Sequence, residues 1–394
     1  MQKKLILHII LIGVPLIFLL TSCGKKDRAV YAETPGAGGY PLPFYANRPP
    51  LDETRPRFMN ETPSGARGDE ALSVLEKVIP DTVPSRLTGL PVSYEDSLRR
   101  PVAAVINNMF PALPQSGLSQ ADVIYEVLAE GNITRLVAIF QVFSAEKIGP
   151  IRSARDYFVH FALNHDAIFV HHGGSDSGYT RLKQLNADRM DGMNLEGTYY
   201  WRDREYPSWD ERNRGKTRAM EHSSYISAKN IRTASDEFNF RETMHEDEGF
   251  GFAFLSPGTK LAGNPAAAVL VPFSREYERA FTYDATTRLY EVSNRSGPHI
   301  DELTRKPLKV SNILIQNIRL RAIPGDAYDR REAGTLGSGT GFLITGGVCV
   351  PVTWKKSGHF SPTEWFLEDG ETMKLNTGKT WICVFQDYGE AVIE

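Results

Sequence analysis

Residues 121–155 read ADVIYEVLAEGNITRLVAIFQVFSAEKIGPIRSAR. Two apolar runs, residues 122–130 and 133–142, lie on either side of Gly131-Asn132. Glycine in the first central position of a two-residue turn is typical of a type II′ β-hairpin. The sequence therefore predicts a hairpin, and we expect the rest of the chain to be organised around it.

This stretch carries five charged side chains that could form a site: Glu126, Glu130, Arg135, Arg152 and Arg155. Charges in such an apolar setting are either paired with one another or held for a ligand. A two-residue turn pairs Glu130 with Ile133 and places Leu128 opposite Arg135. Because side chains alternate along a strand, both carboxylates and Arg135 are then expected on one face of the hairpin.

A turn at Gly149-Pro150 leads into an amphipathic helix, whose apolar residues recur at helical spacing: Ala154, Tyr157, Phe158, Phe161 and Ala162. Ser153 as the N-cap, with Asp156 three residues later, resembles a capping box. Arg152 and Arg155 are then expected beside the helix N-terminus, where free N–H groups and the helix dipole favour anions.

Buried strands are expected at residues 101–108 and 167–174, with the helix between them. This succession predicts a partly parallel sheet whose site lies at the strand ends. After residue 255 the chain changes to short apolar runs separated by turn formers, which is typical of a strand-rich domain. We therefore predict an α+β or mixed α/β protein. A mixed sheet with flanking helices spans residues 85–255, and a smaller strand-rich domain spans residues 256–394.

The N-terminal residues predict the cellular location of the protein. Lys3 and Lys4 precede an apolar run from residue 5 to residue 20, which is typical of a signal peptide over residues 1–22. The following Cys23 completes a tetrapeptide, Leu-Thr-Ser-Cys, that resembles a lipobox, so we expect a lipid anchor on the extracytoplasmic face of the cell membrane. An uncleaved transmembrane anchor is the alternative.

The segment from residue 23 to residue 84 is rich in proline, glycine and charge, which predicts a disordered stalk. Alternatively, the aromatic residues of this segment pack against the folded domains. The remaining 371 residues (394 minus 23) are enough for two domains. With 45 basic and 48 acidic residues, the chain lacks the net positive charge that would indicate nucleic acid as a partner.

Beyond Cys23 the chain has two cysteines, Cys349 and Cys383, both in strand-like segments. A disulfide between them and two separate buried thiols fit the sequence equally well. Four histidines lie near predicted strand ends or helices: His165, His171, His172 and His222. They lack HExxH spacing, and no CxxC pair occurs, so a polar role for His172 and His222 at the sheet end is favoured over a metal site.

No phosphate-binding loop, dinucleotide motif or Gly-x-Ser-x-Gly nucleophile elbow occurs, so we expect no cofactor. Residues 188–219 interleave tyrosine and tryptophan with arginine. Such a long segment could stack on sugar rings or hold a partner surface, or it could pack on its own aromatic residues.

Several strings carry a family resemblance: PVAAVINN (101–108), QSGLSQAD (115–122), YEVLAEG (125–131), ITR (133–135), GPIRSAR (149–155), residues 172–173 and HSSYIS (222–227), and more loosely VTW (352–354) and LNTGKTWI (375–382). In this order they closely resemble the YerB-like bacterial lipoproteins, over residues 85–394. The resemblance implies a two-part extracytoplasmic lipoprotein with a domain of unknown function. It implies no catalytic residue.

The favoured hypothesis is a protein that binds an anionic envelope component, such as peptidoglycan or a wall polymer. Arg135, Arg152 and Arg155 would supply forked donors, and His172 would lie nearby. Glu126 and Glu130 would then orient the arginines.

Two alternatives stay open. Glu126 and Glu130 could be paired carboxylates of an enzyme that cleaves wall glycan, with His222 as a further catalytic candidate. Against this, Arg135 would lower the pKa of a neighbouring carboxyl and so weaken a general acid. The third hypothesis is a protein-interaction lipoprotein in which the charges form a structural ion-pair network.

Overall fold

The computed structural model describes residues 81–245 and 249–394. The predicted signal peptide, Cys23 and the predicted stalk as far as residue 80 lie outside the described residues. No helix within the described ranges is long and apolar enough to cross a membrane.

The described helices are short, and most follow strand ends. The α-helices are α1 (Tyr94–Leu98), α2 (Asp156–Leu163), α3 (Asp176–Gln184), α4 (Gly192–Leu195) and α5 (Ala228–Glu237). Single 3₁₀ turns lie at Phe110–Ala112, Leu118–Gln120, Glu211–Asn213 and Met220–His222.

Strands occur along the whole described chain. Those before residue 255 are β1 (Val83–Pro84), β2 (Pro91–Val92), β3 (Val102–Asn107), β4 (Val123–Leu128), β5 (Thr134–Phe140), β6 (Ile168–His171), β7 (Arg189–Asp191), β8 (Trp201–Arg202), β9 (Ser224–Tyr225) and β10 (Ala253–Phe254). Those after it are β11 (Asn264–Pro265), β12 (Ala268–Pro272), β13 (Glu278–Asp284), β14 (Leu289–Asn294), β15 (Gly297–Pro298), β16 (Lys309–Val310), β17 (Asn312–Ile318), β18 (Leu320–Ala322), β19 (Arg331–Ala333), β20 (Gly337–Thr345), β21 (Val348–Lys356), β22 (Glu364–Leu367), β23 (Lys374–Leu375), β24 (Thr380–Gln386) and β25 (Val392–Ile393).

The central sheet has eleven strands in the order β11-β21-β20-β17-β24-β4-β5-β3-β6-β7, with β22 paired to β21. It is mixed, because β3–β6, β6–β7, β4–β24 and β17–β24 are parallel whereas the hairpins are antiparallel. The predicted mixed α/β class is confirmed. The pairing of β4 with β24 joins the two predicted domains within one sheet, and the boundary at residue 255 stays a prediction.

Strand β4 lies at the middle of this sheet and is buried on both faces. One face carries α2, since Tyr125 stacks on Phe161 at 4.8 Å and the Tyr157 hydroxyl donates to the Leu128 carbonyl. The other face carries a six-stranded sheet, β15-β14-β13-β12-β25 with β16 paired to β14. From this sheet Arg279 reaches Glu126. Burial on two sides explains why the β4 sequence is apolar almost throughout.

The hairpin between β4 and β5 forms, but its register differs from the predicted one. Gly131 and Asn132 have φ values of 57° and 61°, and positive φ at both positions belongs to a type I′ turn rather than type II′. The Ala129 amide donates to the Ile133 carbonyl, while the Ile133 amide donates to the Glu130 carbonyl. Ala129 and Glu130 on one strand thus both lie opposite Ile133 on the other. Glu130 is therefore the extra residue of a β-bulge.

This bulge overturns the predicted shared face. Arg135 lies opposite Val127, not opposite Leu128, so Arg135 and Glu126 point to opposite faces of the sheet. Side chains alternate between the two faces of a strand. A register shift of one residue therefore moves a side chain opposite to a given partner onto the other face of the sheet.

The N-terminus of α2 also differs from the prediction. The N-cap is Arg155, without a side-chain cap, and the Ser153 hydroxyl instead donates to the His172 carbonyl at 3.2 Å. The predicted Ser153 capping box is wrong because residues 152 and 154 are held in extended backbone pairing, so the helix cannot begin before residue 156.

Cys349 and Cys383 are free, buried thiols. They lie on β21 and β24, which are separated by β20 and β17 in the sheet. Three strand spacings amount to about 14 Å, well beyond the reach of a disulfide. Of the two alternatives left open by the sequence, the separate thiols are the correct one.

Candidate functional site

The candidate site lies where two parallel strands of the central sheet diverge. Strands β3 and β6 pair over three residues each, Val102 to Ala104 with Ile168 to Val170. Beyond them, residues 149–154, here called the fork segment, enter between the strand ends. The Arg152 amide donates to the Val105 carbonyl on one side, and the His172 amide donates to the Arg152 carbonyl on the other. Crevices at diverging strand ends are common ligand sites in sheets of this kind.

Arg155, which directly follows the fork segment, and Arg135 on β5 both donate to one carboxylate, Glu130. Arg135 Nη2 donates to Glu130 Oε1 at 2.6 Å, and Arg155 Nη2 donates to Glu130 Oε2 at 2.6 Å. Burial raises the pKa of Glu130, but the charges of Arg135 and Arg155 outweigh it and bring the pKa to about 2. Glu130 is therefore a permanent anion that joins the hairpin to the start of α2.

Arg135 is fully buried, yet most of its donors have no partner. Its Nε and Nη1 atoms make no hydrogen bond in the described part of the chain, and only Nη2 is paired. Burial lowers the pKa of Arg135 to about 10, so the side chain stays charged at neutral pH. Buried N–H groups of native proteins are normally matched by protein, water or ligand, and a charged group left unmatched is costly.

Arg152 completes what we call the arginine cluster: Arg135, Arg152, Arg155 and Glu130. Arg152 Nη1 donates to the Glu221 carbonyl at 3.1 Å, whereas its buried Nε has no partner among the described residues. Arg152 and Arg155 both lie close enough to lower the pKa of Arg135. The cluster has three cations and one carboxylate, and the nearby Glu221 carboxylate also acts on Arg152. The arginines therefore outnumber the carboxylates around them.

His222 adds a neutral donor beside the cluster. Its Nδ1 lies 2.7 Å from Asn107 Nδ2, and Asn107 Oδ1 accepts from the Met109 amide, which fixes the orientation of the asparagine amide. Nδ1 must then accept, so the ring proton is on Nε2. Burial lowers the pKa of His222, which keeps the ring neutral.

His172 is locked as a structural link. Arg202 Nη2 lies 2.9 Å from His172 Nε2, and because arginine only donates, that nitrogen accepts. His172 Nδ1 then donates to Ser224 Oγ at 2.8 Å. A histidine that donates to a serine cannot take the serine's proton, so this pair is not an activated nucleophile. Burial and the Arg202 charge lower the pKa of His172 to about 4.

Glu126 does not join the cluster. It is 1% exposed and accepts from Arg279 Nε at 2.7 Å and Arg279 Nη2 at 3.1 Å. Asn108, Thr134 and Trp381 donate to the same carboxylate. Glu126 therefore belongs to a closed ion pair between the two sheets.

This arrangement favours anion binding over acid–base catalysis. Glu126 and Glu130 have separate arginine partners on different faces of the sheet, so they do not flank one substrate position as paired catalytic carboxylates must. Glu130, with its pKa lowered by two guanidiniums, holds no proton to donate at neutral pH.

Other places in the described structure fit a site less well. A cavity of about 480 Å³ has an apolar wall and three lysines at its lining, Lys306, Lys309 and Lys379. The most buried of them, Lys379, already donates to the Ala121 carbonyl at 2.6 Å. No group of three or more potential metal ligands is found in residues 81–245 and 249–394.

The sequence did not assign Asn107 or Arg279 to a site, whereas Arg202 lies in the segment 188–219 that was predicted to stack on sugar rings, hold a partner surface or pack on its own aromatic residues. Asn107 was visible only as a turn former after a strand. Arg279 carried a clearer signal, because it occupies the same face of β13 as the buried Phe281. An arginine on the inward face of a strand indicates a buried anionic partner, here Glu126.

Comparison with known proteins places the chain among relatives. A family described as "Protein of unknown function (DUF3048) N-terminal domain" matches residues 87–241, and its C-terminal domain matches residues 269–382. A protein of Bacillus subtilis (strain 168), described as "Putative lipoprotein YerB", is 34% identical over 323 residues, which is 80% of this chain and 91% of the relative. The crystal structure of the YerB protein from Bacillus subtilis matches with a TM-score of 0.68 and 32% identity, over 79% of this chain and 99% of that one.

Proposed function

The chain belongs to the DUF3048 family of YerB-like proteins, and from that premise we propose that it is a membrane-anchored, extracytoplasmic lipoprotein that binds an anionic component of the cell envelope. The component is the peptidoglycan or an anionic wall polymer. The arginine cluster binds its phosphate or carboxylate oxygens.

The anchor rests on the sequence. The apolar run and Cys23 together resemble a lipoprotein signal, and the Bacillus subtilis relative is described as a lipoprotein. A lipid on Cys23 would hold the described residues close to the outer surface of the membrane. That position would bring the arginine cluster within reach of envelope polymers.

The observation that carries the binding function is the set of unused donors on Arg135. A purely structural ion-pair network would pair them, as the network around Glu126 does for Arg279. Instead Arg135 Nε and Nη1 and Arg152 Nε remain without protein partners in the described part of the chain. Guanidinium groups bind phosphate and carboxylate through paired N–H donors, and a centre in which arginines outnumber carboxylates suits an anion.

The test is co-sedimentation of purified protein with cell-wall sacculi that retain their anionic polymers. The protein carries Cys23→Ser so that it is not lipidated. We expect it to sediment with the wall, and we expect Arg135→Met and Arg152→Gln to lower the bound fraction at least tenfold. Arg295→Gln is the matched control, since Arg295 is 54% exposed and pairs with Glu278 on the other sheet.

Salt and product analysis complete the test. Capture of an anionic polymer by the positive charge of the cluster should weaken as ionic strength rises. Equal retention of the Arg135→Met and Arg295→Gln proteins would contradict the proposal. Release of new wall fragments that stops in Glu130→Gln would instead indicate the cleaving enzyme.

A further inference from the structure

A cavity lies next to the arginine cluster, and Arg202 links the two. The cavity has a volume of about 340 Å³, and its lining consists of residues 196–202 and Asn230. Arg202 lines it and also contacts His172 Nε2 at 2.9 Å. The same Arg202 charge lowers the pKa of Arg152. Arg202 and Arg152 also donate to neighbouring carbonyls, those of Met220 and Glu221, so the cavity lies beside the cluster.

Arg202 forms a fixed wall of the cavity. Its Nε donates to Glu196 Oε2 at 2.9 Å and its Nη1 donates to the Met220 carbonyl at 2.8 Å. With His172 as a third partner, its guanidinium has little freedom to turn toward a ligand. Recognition in this cavity must come from the other groups that line it.

Those groups are polar side chains with acceptor oxygens and three aromatic residues, Tyr199, Tyr200 and Trp201. Glu196 Oε1, Thr198 Oγ1 and Asn230 Oδ1 make no hydrogen bond within the described ranges, whereas Asn230 Nδ2 is occupied by the Tyr199 carbonyl at 2.6 Å. The half-buried Trp201 lines the same cavity. Carboxylate, hydroxyl and amide oxygens accept from hydroxyl groups, and an indole ring packs against apolar C–H faces.

We propose that the ligand is a saccharide that carries an anionic substituent. The anionic group binds the arginine cluster, and the sugar ring occupies the cavity, with its hydroxyls donating to Glu196, Thr198 and Asn230. A cavity of this volume lies within the range of small-molecule sites, about 300–1,000 Å³. This inference rests on the proposed function, because it names the class of ligand for the same site.

The experiment is isothermal titration calorimetry of the full chain with Cys23→Ser, using four probes. The probes are inorganic phosphate, N-acetylglucosamine, N-acetylglucosamine 1-phosphate and glucuronic acid. We expect the sugar phosphate to bind at least tenfold more tightly than inorganic phosphate, and the neutral sugar to bind most weakly. The glucuronic acid measurement distinguishes a carboxylated saccharide from a phosphorylated one.

Two variants separate the sugar contacts from the anion contacts. Thr198→Val keeps the side-chain shape and should lower affinity for the sugar phosphate three- to tenfold while leaving phosphate binding unchanged. Trp201→Leu should likewise lower the affinity for the sugar phosphate without changing phosphate binding. Arg135→Met should weaken both ligands.

The outcomes distinguish the two proposals. Equal affinity for phosphate and sugar phosphate, or equal losses for both ligands in Thr198→Val, would overturn the saccharide inference and leave anion binding in place. Failure of all four probes to bind, with sedimentation on sacculi still lost in Arg135→Met, would overturn the saccharide inference alone. Failure in both assays would overturn both proposals.

Discussion

At the scale of single residues, Arg135 and Arg279 are equally buried but differently surrounded. Arg279 donates to Glu126 through two nitrogens, lies 2.6 Å from His299 Nδ1 through a third, and lies over the Trp381 ring at 4.8 Å. Arg135 has one ion-pair partner, Glu130, and unpaired donors. The two arginines therefore differ in the number of their paired donors and not in their burial.

The first prediction concerns Arg135. Replacement by methionine should abolish anion binding but change the free energy of unfolding by less than about 1 kcal/mol, because the buried unpaired N–H groups disappear and Glu130 keeps Arg155. Urea denaturation followed by far-UV circular dichroism measures this change. A loss of several kcal/mol would instead make Arg135 part of a structural network.

The second prediction concerns Arg279. Replacement by methionine leaves Glu126 buried without a cation and should lower the free energy of unfolding by roughly 3–5 kcal/mol. The same urea titration should show an earlier midpoint, with anion affinity of the folded fraction unchanged. Arg295→Met on the exposed pair should shift the midpoint little, and a similar shift in both variants would refute the distinction.

At the scale of elements, two local features position the cluster. The β-bulge at Glu130 turns Arg135 away from Glu126 and toward α2. The close approach of α4 to the residues after β6 fixes His172, since a Cβ on Gly192 would lie 2.7 Å from His172 Cγ. The sequence predicted the hairpin and the strands correctly. It could not predict the bulge, because a Gly-Asn pair fits both a two-residue hairpin loop and a loop with one extra residue.

The third prediction concerns Gly192. Its substitution by alanine should force the His172 ring to move, weaken anion binding several-fold and destabilise the protein by about 1–3 kcal/mol. Thermal denaturation and phosphate titration measure the two effects. Gly358→Ala is a suitable control because its added Cβ meets only Ser361 Oγ at 3.4 Å. The His172 amide donates to the Arg152 carbonyl, so unaltered binding in Gly192→Ala would show that His172 does not position Arg152.

At the scale of the whole molecule, one sheet unites both halves of the chain. Strand β24 lies between β4 and β17 and pairs with both in parallel. Residues from the second half also complete the first, as Arg279 does for Glu126. The two family segments are therefore recognisable in sequence as separate parts while sharing one hydrophobic core.

The fourth prediction concerns folding of the halves. Residues 85–255 expressed alone should not give a cooperative unfolding transition, because β4 would become an exposed edge and Glu126 would lose Arg279. Calorimetry and dispersion of the amide NMR spectrum measure this. Mixing in the second half should restore a transition, whereas a stable isolated fragment would show that the first half has its own complete core.

The fifth prediction concerns pH. Burial lowers the pKa of His160 and of His165 to about 3, so both are neutral in the folded protein. Between about pH 6.5 and pH 3 the unfolded chain binds more protons, so stability is complete above pH 6.5 and falls as the pH decreases through this window. Urea midpoints measured from pH 7.5 to pH 4 should decrease steadily.

Replacing both histidines by glutamine provides the control for this titration. The double variant should show a shallower decrease between pH 6.5 and pH 4, whatever its stability at pH 7.5. The Glu130 contribution survives this range, since its pKa is about 2. An unchanged slope would assign the acid sensitivity to other groups.

Periodicity and composition within short segments were enough to predict the α/β class, the hairpin, the signal for a lipid anchor and the concentration of arginines near residue 152. Which charges meet depends instead on packing between distant segments. Glu126 pairs with Arg279, 153 residues away, because β13 packs across β4, and Glu130 meets Arg155 because the fork segment crosses the sheet end. Contacts between distant segments depend on register and packing, and a bulge of one residue is enough to change them.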